Sequence, residues 1–514
     1  MTRTPRTSIL VSLATIAMAC ATSPAESGVL VPIIEPSTPA QVAPVPSTPA
    51  PTTPTTPTTP TQVTLPALPN TALLETCAPA LAWWREVPAW QMSANLLDVS
   101  PNGGLLLRSN TWDHGASQFH RLATGEPLVE APTIAPGGMD AGWNVRAELA
   151  SENTVNLITV VTQAVLRSFT VPLQKDTWGQ HQPVLSPDAQ RLAVASCVWG
   201  KDGQGASKYA LSVAAWSTDD GQLLSNGTIG ECDLYPRGLV ALPTPDGKAL
   251  VVTDQGPTVH VVELDSGIVH TTKLAVLEPT EPPFPMFEPV VAGAVRPDGS
   301  EVALVDGTGL VHFLAIPGLT EVRPAITASV VGINLNTYMP GVTSPIAWSA
   351  DGKLLALVDP NGQVTMRHLD QEAPVLTFEA PKLAKPEPEW THNMPVGVTF
   401  LPDGTGLAIS YEQGLALWRC PTAPWPETGA PLELLISGPT TAQAGEPALF
   451  IATHLGNADV HSHRLYVDGQ PVSAASLDRK ASWTPVAAGT YSVSFVIDDG
   501  IAQGTAAMTV TVTN

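Results

Sequence analysis

The sequence predicts an all-β chain, and three observations carry that prediction. First, the 514 residues are 44% hydrophobic and only 14% charged, with 52 Pro and 40 Gly and no long amphipathic helical pattern. Few charges and many turn formers favour strands over helices. Second, a turn of the Pro-Asp-Gly kind recurs at Pro245-Asp246-Gly247, Pro297-Asp298-Gly299, Ala350-Asp351-Gly352 and Pro402-Asp403-Gly404, spaced 52, 53 and 52 residues apart, each followed by an apolar strand. Third, Pro243 to Val269 reads as four short strands joined by three tight turns, at 245–247, 254–257 and 265–267, a complete antiparallel meander. Four-stranded units repeating at about 50 residues are the pattern of a β-propeller.

Two further turns, Pro101-Asn102-Gly103 and Pro187-Asp188-Ala189, extend the series toward the N-terminus. The 86 residues between them leave room for one more unit, which residues 144–173 can fill with a degenerate turn. The expectation is a seven-bladed β-propeller over residues 71–420. The seventh unit has only three evident strands, around 396–401, 407–411 and 415–419. Residues 81–90, with Trp83, Trp84 and Trp90, can supply the missing outer strand and close the circle.

Five cysteines are present, and an even number remains once Cys20 is set aside. In an exported chain four cysteines suggest two disulfides, with three possible pairings. The closing strand brings Cys77 beside Cys420, which leaves Cys197 and Cys232 to pair within the third blade.

Residues 1–19 read as a signal peptide, with Arg3 and Arg6 ahead of an apolar run from Ile9 to Met18 that is too short to span a bilayer. The run ends in Ala17-Met18-Ala19-Cys20, which resembles a bacterial lipoprotein lipobox and implies acylation of Cys20. Such boxes usually carry Leu where this chain has Ala17. Ala17-x-Ala19 also fits ordinary signal-peptidase cleavage, which would release a soluble secreted protein. Residues 20–70 read as a Pro/Thr-rich disordered tether, with twelve prolines between Pro32 and Pro69, able to reach on the order of 100 Å.

Residues 421–431 form a Pro-rich linker, and 432–514 a small β-sandwich with alternation in Leu449 to Thr453, Tyr491 to Ile497 and Met508 to Val512. The repeats over Ala72 to Arg419 resemble the WD-repeat-like and YVTN-type propellers of bacterial envelope proteins, without the Gly-His and Trp-Asp pairs of true WD repeats. The C-terminal domain resembles PKD-type and bacterial immunoglobulin-like sandwiches, which implies a spacer or adhesion role.

The net charge of −22 argues against nucleic acid and against electrostatic docking to anionic lipid. Strand order puts the Pro-Asp-Gly turns on one face of the propeller and the long insertions on the other. Those insertions, 199–209, 276–289, 327–344 and 381–395, carry Trp199, Phe284, Phe287, Tyr338, Trp390 and His392, the expected binding face. Asp254, Asp306 and Asp359 occupy equivalent positions on that face, where acids could hold Ca²⁺. Their ordinary role is to bond the local turn backbone. His461 and His463 at alternate positions could chelate zinc but have no third ligand in sight.

Nucleophile-elbow, zinc-protease and phosphate-loop motifs are absent, as is Cys-x-x-Cys. The expected function is therefore a monomeric, non-enzymatic, envelope-tethered binding lipoprotein, joined to the membrane only through its lipid and recognising a protein or glycan. The alternative is an exported propeller enzyme, lactonase- or dehydrogenase-like, with a metal at its mouth.

Overall fold

The local chemistry of the repeated turn explains why the chain breaks into sheets. In the computed structural model, Thr244 Oγ1 donates to the Asp246 carboxylate at 2.6 Å and accepts the Ala249 N–H at 3.0 Å. Asp246 accepts the Lys248 N–H at 3.0 Å, and Gly247 takes the left-handed conformation at φ 67° that glycine adopts without steric cost. Ser100–Asn102, Ser186–Asp188 and Ser349–Asp351 repeat the arrangement. Where Arg296 and Leu401 replace the first hydroxyl, Asp298 and Asp403 bond Ser300 and Thr405 instead, both at 2.6 Å. Each turn thus satisfies its own polar groups and launches a buried strand.

The structure describes residues between 74 and 514, apart from several connecting stretches, the longest being 275–291, 328–345 and 382–394. The protein is all-β. Among the described residues from 80 to 419, the regular elements are strands in seven sheets, six of four strands and one of three. The first sheet spans 96–131, the second 145–170, the third 178–231, the fourth 240–273, the fifth 292–327, the sixth 346–379 and the seventh 395–419.

Apolar clusters join each sheet to the next. Leu157 and Phe169 of the second meet Val194 and Trp216 of the third. Ala195 and Leu211 of the third meet Leu250 and Val252 of the fourth. Similar clusters link fourth to fifth, fifth to sixth and sixth to seventh. Leu97, Val99 and Leu106 of the first pack on Leu401, Ala408 and Leu415 of the seventh.

The strand Ala80–Glu86 pairs antiparallel with Gly414–Arg419, as the outer strand of the seventh sheet. Trp83 donates its indole N–H to the Leu122 carbonyl at 2.7 Å, tying that sheet to the first. Trp84 packs against Gly414, where a Cβ would come 2.1 Å from its ring. The disulfides are Cys77–Cys420 and Cys197–Cys232, with Cα separations of 5.8 and 6.1 Å. Two disulfides fit an oxidising, extracytoplasmic environment.

The second sheet departs from the expected turn. Its turn is Asp140-Ala141-Gly142-Trp143-Asn144, just before the segment assigned to it from sequence. Asp140 Oδ1 takes the place of the hydroxyl, accepting the N–H groups of Asn144 and Val145 at 2.8 Å each. Trp143, at φ 56°, stands where the other repeats have glycine, or Ala189 at φ 58° in the third sheet. The pattern is shifted by two residues, so a search for Pro-Asp-Gly passes it by. Among the described residues, the inner edge of this sheet is a single bridge, Met139 to Arg146.

Residues 433–513 form a three-stranded and a five-stranded sheet packed face to face around Phe450, Leu465, Val493, Phe495 and Val510. Trp483 and Tyr491 stack edge to face at 5.0 Å beside that core.

The first sheet also holds two titratable groups, half-buried Asp98 and buried His120, with opposite consequences. Burial pushes the Asp98 carboxyl up to about 6, against bonds from the Val99 N–H and the Trp143 indole at 2.8 and 3.3 Å. Burial pushes the His120 imidazole down to about 4, against its bond to the Gly125 carbonyl and with help from Arg108 and Arg85. Folded His120 resists the proton that the unfolded chain accepts below about 6.5, so its effect destabilises as pH falls from there toward 4. Folded Asp98 keeps a proton that the unfolded chain loses near 3.8, so its effect destabilises as pH rises from there to about 6. His120→Gln is expected to improve stability at pH 4 relative to pH 7 by up to about 3 kcal/mol, and Asp98→Asn to raise it above pH 6 on the same scale. Urea unfolding at pH 4, 5 and 7 checks both; wild-type pH dependence in either variant would refute that assignment.

Candidate functional site

Each four-stranded sheet presents its turn of the Pro-Asp-Gly kind at one end and the hairpin between its second and third strands at the other. At that second end the third sheet differs from its neighbours. Its central strands, Arg191–Lys201 and Ser207–Ser217, have 11 residues each, against 5 and 6 for Ala249–Thr253 and Thr258–Glu263 of the fourth. At about 3.3 Å per residue, the longer hairpin reaches roughly 20 Å further. Of the 199–209 segment, expected as a loop, residues 199–201 and 207–209 are therefore paired strand, while 202–206 lie outside the described residues. Its Gly and Lys content suggests a loop, but unbroken register from Arg191↔Ser217 to Lys201↔Ser207 holds it extended.

Trp199 pairs directly with Tyr209, so the two rings share one face of the hairpin, and both are half-buried. Cys197 and Leu211, one pair below, lie on the same face. Leu211 packs into the core shared with the fourth sheet, so the aromatic pair stands on the side facing that sheet. Cys232 folds across the hairpin to reach Cys197, and its N–H donates to the Tyr209 carbonyl at 3.2 Å. The disulfide thus forms the floor beneath the two rings.

Below this hairpin, His260 of the fourth sheet is 2% exposed and bonds Thr271 Oγ1 at 3.0 Å. Burial lowers its pKa, keeping the imidazole neutral. A Cβ on Gly230 would come within 3.0 Å of His260 Nε2, so glycine lets the imidazole pack against the third sheet.

Asp306 is fully buried. Its carboxylate accepts the Leu310 N–H at 3.0 Å and meets His312 Nε2 at 2.8 Å. Asp306 therefore does the local turn-closing work of an aspartate at this position. Asp254 and Asp359 lie outside the described residues. Among the described residues, no three His, Cys, Asp or Glu side chains gather as metal ligands. The offset from Asp306 to His312 recurs from Asp254 to His260, a sequence signal that the aspartate series alone does not capture.

Of the expected binding face, the structure describes Trp199 and adds Tyr209. Phe284, Phe287, Tyr338, Trp390 and His392 lie outside the described residues, as does Cys20. His463 is buried and exchanges backbone hydrogen bonds with Ser476, while His461 also lies outside the described residues.

An open cleft of about 330 Å³ lies between the second and third sheets at the Pro-Asp-Gly end. Arg167 spans it, donating to the Asp219 carbonyl at 2.9 Å, so the cleft is a seam held by an inter-sheet tie. No family model and no curated protein matches this sequence.

Proposed function

We propose that this chain is an exported, lipid-tethered, non-enzymatic binding protein of the cell envelope. In this reading the seven sheets form a β-propeller, and residues 432–514 are an immunoglobulin- or PKD-like sandwich. Acylated Cys20 and the tether up to residue 70 hold both away from the membrane. The partner is a protein or glycan, engaged at the long-loop face.

The observation that carries this reading is the third-sheet hairpin. It extends beyond the neighbouring strands, is braced by Cys197–Cys232, and bears Trp199 and Tyr209 side by side. Rigid, partly exposed aromatics are the residues that most often dominate recognition. The net charge of −22 disfavours polyanions as partners. The sheet-to-sheet clusters, including that between first and seventh, support the circular arrangement.

The test immobilises the mature chain and offers it solubilised envelope proteins and insoluble envelope polysaccharide in parallel. A partner retained by the wild type and bound at least 10-fold more weakly by Trp199→Ala/Tyr209→Ala is the expected result, since each central aromatic contributes about 2 kcal/mol or more. Equal retention by the double variant, or no specific retention, would overturn the assignment. A melting temperature matched to wild type keeps the comparison clean.

A further inference from the structure

The second surface with an unexpected role is the contact between the C-terminal module and the first sheet. The turn Asp498-Asp499-Gly500 seats directly on the turn Asn102-Gly103-Gly104. Arg121 Nη1 donates to the Gly500 carbonyl at 2.8 Å, and its Nη2 pairs with the Asp498 carboxylate. The two backbones approach so closely that a Cβ on Gly104 would lie 2.6 Å from the Asp499 carbonyl oxygen. A Cβ on Gly500, at φ 91°, would lie 2.2 Å from the Gly104 carbonyl oxygen. Only glycine at both positions permits this approach.

Leu477 of the module is 2% exposed and belongs to one core cluster with Leu105, Leu107 and Phe119 of the first sheet and Trp143 and Val160 beside the second. This is the seam where, among the described residues, the second sheet's inner edge is the Met139 bridge to Arg146. A side chain from another module thus completes the core beside that bridge. The surface is self-complementary within one chain: an apolar plug, a charged pair and two facing glycines, all supplied by residues 98–160 and 477–500.

We propose that the C-terminal module is a latch whose partner is the chain's own first and second sheets, closing the Pro-Asp-Gly face there to external ligands. It is neither a free spacer nor an independent adhesion module. This inference does not depend on the identity, or the existence, of an external partner.

The test uses the full chain with a protease site inserted within residues 426–431. After complete cleavage at micromolar concentration, the 432–514 fragment is expected to co-elute with the remainder in size-exclusion chromatography. Leu477→Asp should weaken that association at least 10-fold and release the fragment. Arg121→Met, which leaves the apolar plug intact and so guards against misfolding of the first variant, should weaken it measurably. In both uncut variants, amide exchange at Leu105–Arg108 should accelerate. Release of the fragment from the cleaved wild type would overturn the proposal. So would retention by both variants with wild-type exchange.

Discussion

Replacing Cys77 and Cys420 together by serine is expected to destabilise the protein by about 5 kcal/mol, the largest effect of any change considered. The bond joins residues 343 apart in sequence, so its loss frees a very long loop in the unfolded chain. The strand it anchors depends on it, because Ala80–Glu86 is largely exposed or half-buried along its length. Backbone pairing to Gly414–Arg419, Trp83 on the Leu122 carbonyl and Trp84 on Gly414 would remain. Chemical denaturation gives the free energy, and hydrogen exchange should show residues 80–86 losing protection first. The paired replacement of Cys197 and Cys232, 35 residues apart, should cost about 2 kcal/mol less if loop entropy dominates. Equal costs would mean that local native-state enthalpy, not chain entropy, sets the contribution.

Trp143→Ala is expected to destabilise by about 4 kcal/mol. The side chain is 2% exposed, meets Phe119 edge to face at 5.6 Å, and gives its indole N–H to Asp98. Truncation opens a cavity between the first and second sheets and removes a donor from the half-buried Asp98 carboxyl. The backbone makes a sharper test available. At φ 56° a side chain costs about 1 kcal/mol that glycine does not. Trp143→Gly should therefore be more stable than Trp143→Ala by about 1 kcal/mol, the reverse of the usual order in a folded segment. The usual order would show that the positive φ is relaxed in the variants or carries no strain.

Much of the fold is legible because its determinants are local. A hydroxyl, an aspartate and a glycine within four residues satisfy one another through their own side chains and backbone, as at Thr244–Gly247, so the repeat survives as a sequence pattern. The closing strand and both disulfides are also legible, since a seventh unit one strand short and an even set of cysteines restrict one another. The second sheet's turn is not, because Asp140 substitutes for a hydroxyl and Trp143 for a glycine; the hydrogen bonds persist while the residue types change.

The candidate site was legible only in part. Trp199 could be named from sequence as an aromatic in a long insertion, but its partner Tyr209 follows from strand register, which pairs residues ten apart. Local composition around Gly200 speaks for a loop, and cross-strand pairing with a disulfide beneath overrides it. Asp306 illustrates the converse. Its local turn role could be weighed from sequence, whereas its full burial against His312 is a product of packing.

The sequence by itself determined the all-β class, the spacing of the sheets, the strand that completes the seventh and the pairing of the cysteines, because each rests on short-range turn chemistry or on counting. Only the tertiary structure decided that the third-sheet hairpin extends beyond its neighbours, and that Leu477 and the Asp498–Gly500 turn lock the C-terminal module onto the first sheet. Those contacts join residues nearly 400 apart in the chain, through glycine-to-glycine approach and one inserted leucine. Such complementarity belongs to two folded surfaces together, and neither segment carries a local pattern that announces it.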